Sequence, residues 1–129
     1  MRSPKQLAAH TVFIYIFDMM PLNLRNKPWV FAAPLAGVSD WPYRKIAKRY
    51  GADYAFVEMV AAEGLVRNNL RTCELLYRFE GETNIGCQLF GNRPEAVAEA
   101  AEMVEGLGFD SIDLNCGCPE ENVMKQGAG

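Results

Sequence analysis

The sequence predicts an α/β protein built from repeated strand–helix–strand units around a parallel sheet, and three observations carry that prediction. Apolar runs too uniform to alternate recur at WVFAAPLAG (29–37), YAFVEMV (54–60), NIGCQLFG (84–91) and SIDLNCG (111–117), the pattern of strands buried on both faces. Segments of helical period stand between them. The units succeed one another at intervals of about thirty residues, the length of one strand–helix–strand step.

Each element has a local reason. The first strand should stop near Ala33, because Pro34 lacks the N–H that a mid-sheet position needs. SDWPYRKIAKRYG then predicts a helix with Ser39 or Asp40 as N-cap and Pro42 in its first turn. Tyr43, Ile46, Ala47 and Tyr50 form its apolar face, and Gly51 closes it. The second strand spans 54–60 and leads into a broken helical stretch, where Thr72 is the expected cap of a short helix through Leu75 and Leu76. After the third strand at 84–91, RPEAVAEAAEMVEGLG is the clearest helix of the chain. Val97, Ala100, Ala101, Val104 and Leu107 make its apolar stripe, Glu95, Glu99, Glu102 and Glu105 face water, and Gly106 or Gly108 stops it. The fourth strand covers 111–117, and CPEENVMKQGAG is a loop that opens a further helix.

Two architectures accommodate four such units: an open doubly wound sheet, or part of a (β/α)8 barrel, which needs ~250 residues when whole. No Gly-x-Gly-x-x-Gly turn follows the first strand, which weakens the nucleotide-binding open sheet. The chain has 129 residues, half of them apolar, with a formal charge of −3 from thirteen basic and sixteen acidic residues. These charges are interspersed, so no segment forms a nucleic-acid-binding stripe or a polybasic membrane anchor. Four cysteines without a disulfide-scaffold pattern point to a reducing, cytoplasmic setting. Arg2 and Lys5 before TVFIYIF imitate a signal peptide, but Asp18 and the missing small-residue cleavage site argue against one. The run is also far short of the ~20 apolar residues of a membrane span. Residues 1–28 are therefore expected to be an N-terminal extension, or to reflect an upstream start with Met19 or Met20 opening the protein; residues 29–129 form the domain.

In either parallel architecture the site forms beyond the carboxyl ends of the strands. Those ends carry Pro34-Leu35-Ala36-Gly37, Glu58-Met59, Gln88-Leu89-Phe90-Gly91 and Asn115-Cys116-Gly117-Cys118-Pro119. The set offers a carboxylate, two amides, thiols and accessible backbone. Structural roles compete for each member: Gln88 and Asn115 can tie strand ends together, Glu58 can pair with a basic residue, and Pro34 and Gly37 can simply turn the chain. Cys73 and Cys87 are expected to be packing residues. Zinc at Cys116 and Cys118 is disfavoured, since the spacing is wrong and the single histidine, His10, lies in the extension; no metal site is expected. A redox pair would more often be spaced Cys-x-x-Cys. What remains is one exposed thiol acting as acid or nucleophile. Cys116 follows the strand alternation, whereas Cys118 lies past the strand, between Gly117 and Pro119, on a loop facing the site.

At these residues the sequence resembles the tRNA-dihydrouridine synthase family, flavin enzymes of the (β/α)8 barrel class. The matching pieces are APLAGVSDWPYR (33–44), GADYAFVEMV (51–60), QLFG (88–91) and DLNCGCPEENVMKQGAG (113–129), in the family's order and spacing. The resemblance implies the N-terminal half of a barrel, about four β/α units. It implies FMN across the barrel mouth, with Pro34, Leu35 and Ala36 passing under the isoalloxazine and the Gln88 amide bonding its edge. It implies NADPH or NADH as reductant and a tRNA uridine as substrate, which must be extruded from its stack. Cys118, the cysteine of the Asn-x-Gly-Cys-Pro motif, becomes the general acid that protonates C5 after hydride reaches C6, while Asn115 and Glu58 orient the uracil or flavin. A free thiol of pKa near ~8.5 holds its proton at neutral pH and suits that task.

Two residues depart from the family's pattern: Leu35 replaces the usual Met, and Gln126 occupies a place where glycine is common. Cys116 fills the variable motif position and takes no role. The chain stops at Gly129, before the parts of the family that bring a further lysine and histidine, the flavin-phosphate loops and the basic helical domain that holds tRNA. A truncated record of a longer enzyme is the expectation, with tRNA gripped mainly by the missing region. Half a barrel exposes strand edges and invites self-association. The alternatives are another FMN barrel acting on a small pyrimidine or enone, and a non-catalytic half-barrel.

Overall fold

A computed structural model describes residues 28–128; the expectations for the apolar run at 11–17 and for Met19 or Met20 as the start lie outside them. The described strands are β1 (Phe31–Ala32), β2 (Tyr54–Phe56), β3 (Val60–Ala61), β4 (Ile85–Phe90) and β5 (Ser111–Leu114). The helices are α1 (Trp41–Arg49), α2 (Ala62–Val66), α3 (Leu70–Glu74), α4 (Pro94–Gly106) and α5 (Glu121–Lys125). Every strand pair is parallel: β1 with β2, β2 and β3 with β4, and β4 with β5. This is the α/β parallel architecture expected of part of a (β/α)8 barrel.

The second strand is not the continuous 54–60 that its apolar run suggests. Gly86 pairs with both Phe56 and Ser111, and Leu89 with both Val60 and Leu114, so β2 and β3 lie along the same edge of β4. From Phe56 to Val60 the chain takes four steps while β4 takes three, which is a one-residue bulge. The first strand is likewise shorter than expected, and β5 ends at Leu114, although the Asn115 N–H still reaches the Leu89 carbonyl at 2.9 Å.

The two faces of the sheet differ in kind. Ile85, Cys87 and Leu89 turn toward the helices and join Val57, Val60, Ala62, Leu65, Ala100 and Val104 in the core. The opposite face carries a row of rings, Trp29, Phe31, Tyr54 and Phe56, with successive centroids 6.3, 5.6 and 5.3 Å apart. Gly86 lies beneath this row, where a Cβ would overlap the Phe56 ring and the Ser111 hydroxyl. The Tyr54 hydroxyl and Ser111 Oγ are hydrogen-bonded at 2.7 Å.

Helix α1 has the expected ends: Asp40 accepts from the Tyr43 N–H at 3.0 Å, and Gly51 follows with φ +104°. Its expected apolar face is not the buried one. Ile46 and Tyr50 are 58% and 84% exposed, whereas Arg44 is buried because its guanidinium makes four hydrogen bonds, two of them to the Glu82 carboxylate. Thr72 does not cap α3; Asn69, three residues earlier, accepts from the Thr72 N–H. Helix α2 (Ala62–Val66) lies within the broken helical stretch that follows the second strand. In α4 the four glutamates are exposed and Ala96, Ala100 and Val104 are buried. Leu107 falls off the stripe because the helix ends at Gly106, with Gly108 at φ +74°. Arg78 donates to the Leu107 and Gly108 carbonyls at 2.6 and 2.9 Å, closing that terminus.

Candidate functional site

The turn after β1 is held from three sides. Ser39, fully buried, accepts the Leu35 N–H at 2.8 Å through Oγ and donates back to the Leu35 carbonyl at 3.0 Å. The Val38 and Ser39 N–H groups also donate to that carbonyl, and Gly37 takes φ +72°, which favours glycine. Glu58, released from strand pairing by the bulge, accepts the Gly37 N–H. Arg44 Nη1 donates to the Ser39 carbonyl at 2.9 Å, and the same guanidinium makes a bidentate pair with Glu82 at 2.8 and 3.0 Å. Pro34 is half-buried, while Leu35, at 44% exposure, and Ala36 are presented outward by this bracing.

Gln88 and Asn115 meet on the adjoining strands. Gln88 pairs in register with Asp113, and its Nε2 donates to Asp113 Oδ2. Its Oε1 accepts Asn115 Nδ2 at 3.2 Å, and Asn115 Oδ1 accepts the Gly117 N–H at 3.1 Å. Among the described residues, Gln88 has one N–H and one lone pair beyond those these bonds use. Cys118 is half-buried, one residue beyond Gly117. Cys116 is exposed and lines a cleft with Leu89, Val97, Ala101, Ile112 and Leu114, on the helix side of the sheet and away from Gln88 and Asp113.

The sequence-derived set therefore forms two groups. Pro34, Leu35 and Ala36 sit in the turn that Glu58 helps brace, and Gln88, Asn115 and the Cys118 loop form the second. Asp113, Ser39, Arg44 and Glu82 were missed. Asp113 had a signal, an acidic residue inside an apolar strand two positions before Asn115; the Arg44–Glu82 pair, thirty-eight residues apart, had none. Elsewhere the titrating groups are structural: burial pushes the Cys87 thiol up to about 12, and burial pushes Tyr54 up to about 12 despite the opposing Ser111 bond. Among the described residues no cluster of three or more His, Cys, Asp or Glu is placed to hold a metal, and no helix is long and apolar enough to cross a membrane.

A flavin ring system needs an apolar support and an amide edge able to donate and accept. The outward turn at Leu35–Ala36 and the unused valences of Gln88 fit those needs.

The family model described as dihydrouridine synthase matches residues 31–129. The chain is 41% identical over 110 residues to a probable tRNA-dihydrouridine synthase of Treponema pallidum, covering 84% of this chain and 32% of that protein. It is 38% identical over 109 residues to a protein of the same description from Helicobacter pylori strain J99, covering 84% and 33%. A tRNA-dihydrouridine(47) synthase [NAD(P)(+)] of Malassezia globosa is 34% identical over 115 residues, 84% of this chain and 15% of that one. The chain thus spans a third or less of the length of the curated relatives it matches.

Proposed function

The chain belongs to the dihydrouridine synthase family, and on that premise we propose that it supplies the first half of the active site of an FMN- and NAD(P)H-dependent oxidoreductase that reduces the C5=C6 bond of uridines in tRNA. Residues 1–28 are then an extension and 29–129 the barrel portion, in a cytoplasmic protein. Since the relatives are much longer, the whole reaction is proposed for the protein that carries these residues together with the remainder of such a barrel. That remainder brings most of the tRNA contact. FMN, when bound and reduced, supplies the hydride to C6 of the uracil ring.

The roles of this chain's own residues follow from their chemistry. Pro34, Leu35 and Ala36 offer the apolar support, and Gln88 offers an N–H and a lone pair to the ring edge. Asn115 orients the ring beside it. Glu58 acts on the support, through Gly37. The Cys118 thiol holds a proton at Sγ and delivers it to C5, where charge develops once C6 is saturated.

The observation that supports this reading most is the hydrogen-bonded run of Gln88, Asn115 and Gly117 leading directly to Cys118 at the ends of two adjacent strands. The test is Cys118→Ala in the protein, with bound flavin and dihydrouridine formation in tRNA measured together. The expected result is retained flavin and a loss of about 10²–10⁴-fold in uridine reduction. Unchanged turnover removes Cys118 from the acid role.

A further inference from the structure

The amide orientations in the Asp113–Gln88–Asn115–Gly117 run are over-determined. A side-chain amide can usually turn about its last bond with little to choose between its oxygen and nitrogen. Here both ends decide. An ionised carboxylate accepts only, so the Gln88 NH2 faces Asp113; a backbone N–H donates only, so the Asn115 oxygen faces Gly117. The remaining contact, Asn115 Nδ2 to Gln88 Oε1 at 3.2 Å, then has the one polarity that satisfies both. The run points in a single direction, from the Gly117 backbone to the Asp113 carboxylate.

We infer that Asp113 is a positioning residue: its charge sets the polarity of the Gln88 and Asn115 amides and through them holds the Gly117 backbone next to Cys118. Among the described residues, the hydrogen bonds from the Asp113 carboxylate toward the loop run through these two amides. With an amide in place of this carboxylate the terminal group both donates and accepts, so the Gln88 amide gains a reversed arrangement that the carboxylate forbids. In it Asn115 turns its nitrogen toward the Gly117 N–H and that bond is lost, so the reversal is opposed at the Gly117 end alone. The consequence for Gln88 and Cys118 in catalysis rests on the proposed flavin chemistry; the polarity does not.

The experiment compares wild type, Asp113→Asn and the double variant Asp113→Asn/Gln88→Glu in the full chain, reading amide hydrogen exchange at Gly117 against the core amide of Leu89. In the double variant the amide introduced on β5 donates to the carboxylate introduced on β4, which still accepts from Asn115, so the downstream polarity is restored with the same number of charges. Asp113→Asn is expected to raise Gly117 exchange about tenfold, the worth of one hydrogen bond, with Leu89 unchanged, and the double variant to return it to the wild-type value. A general loss of packing would not be reversed by moving the charge one residue across the sheet. Unaltered Gly117 exchange in the single variant overturns the inference, as does a double variant no better protected than the single, including where the single does not fold. FMN binding is measured on the same variants. In the protein that carries these residues with the remainder of the barrel, a wild type that binds no FMN, with the exchange pattern as expected, refutes the flavin reading and leaves the polarity standing; FMN bound by the wild type and lost in the double variant, with Gly117 protected, ties the Gln88 N–H to the flavin separately.

Discussion

Replacing Arg44 by Met isolates the device that holds the β1–α1 turn. The Arg44 and Glu82 side chains are 1% and 0% exposed, and the guanidinium makes four donations: two to Glu82, one to the Ser39 carbonyl and one to the Tyr77 carbonyl. Arg44→Met leaves the Glu82 carboxylate buried with the Phe79 N–H, at 3.3 Å, as its partner among those bonds. Removing one member of a buried pair costs about 3–5 kcal/mol, because the other charge stays behind uncompensated. That is a large share of a typical folding stability of about 5–15 kcal/mol. Urea unfolding should show it as a lower midpoint at unchanged slope. Arg44→Met/Glu82→Leu removes both charges, and most of the loss should return, since an apolar replacement of a buried pair is commonly neutral. A residue of about 1–3 kcal/mol should persist, because the Ser39 and Tyr77 carbonyls lose their donor. A cost below about 1 kcal/mol for Arg44→Met, the value of an exposed pair, or a double variant as unstable as the single, would refute the reasoning.

Gly86→Ala should destabilise by about 1–3 kcal/mol through overlap with the Phe56 ring, and Phe56→Leu in the same chain should recover part of it in a thermal melt. Alkaline stability should depend on Tyr54: its folded pKa, about 12 against 10.0, means that its contribution is complete below pH 10 and lost as pH rises toward 12. Two units correspond to about 3 kcal/mol. Cys87, raised by burial from 9.0 to about 12, acts in the same direction from pH 9 upward. Tyr54→Phe should therefore flatten the decline above pH 10 while leaving its onset near 9. Parallel curves for the two proteins would remove Tyr54 from that role.

The sequence announced those parts of the fold whose causes are local. Helix α4 was legible because its glutamates and its apolar stripe repeat at the helical period, and α1 because Asp40, Pro42 and Gly51 mark its ends. The parallel order of strands followed from the spacing of units. Which face α1 buries was not legible, because the decisive partner of Arg44 is Glu82, far along the chain. Counting apolar types favoured Ile46 and Tyr50 instead. Asn69 displaced Thr72 as a cap because both residue types serve and only tertiary geometry chooses between them. At the site, Gln88 and Asn115 were legible as polar residues at the ends of apolar strands. Their contact depends on the register that sets Gln88 opposite Asp113, which no single strand encodes.

The extra residue between β2 and β3 changes what kinds of alteration this chain can accept. In an uninterrupted strand, positions three apart point to opposite faces. Val57 and Val60 are three apart, yet both are fully buried in the same core. The insertion reconciles them and gives Glu58 and Met59 room between two anchored valines. Parity, then, is a property of chain length here and not of side-chain chemistry. Substitutions at 58 or 59 alter one contact each, whereas losing a single residue from the segment forces a choice between keeping Val57 in the core and keeping Val60 there. Length should accordingly be the harder constraint on this segment than residue identity.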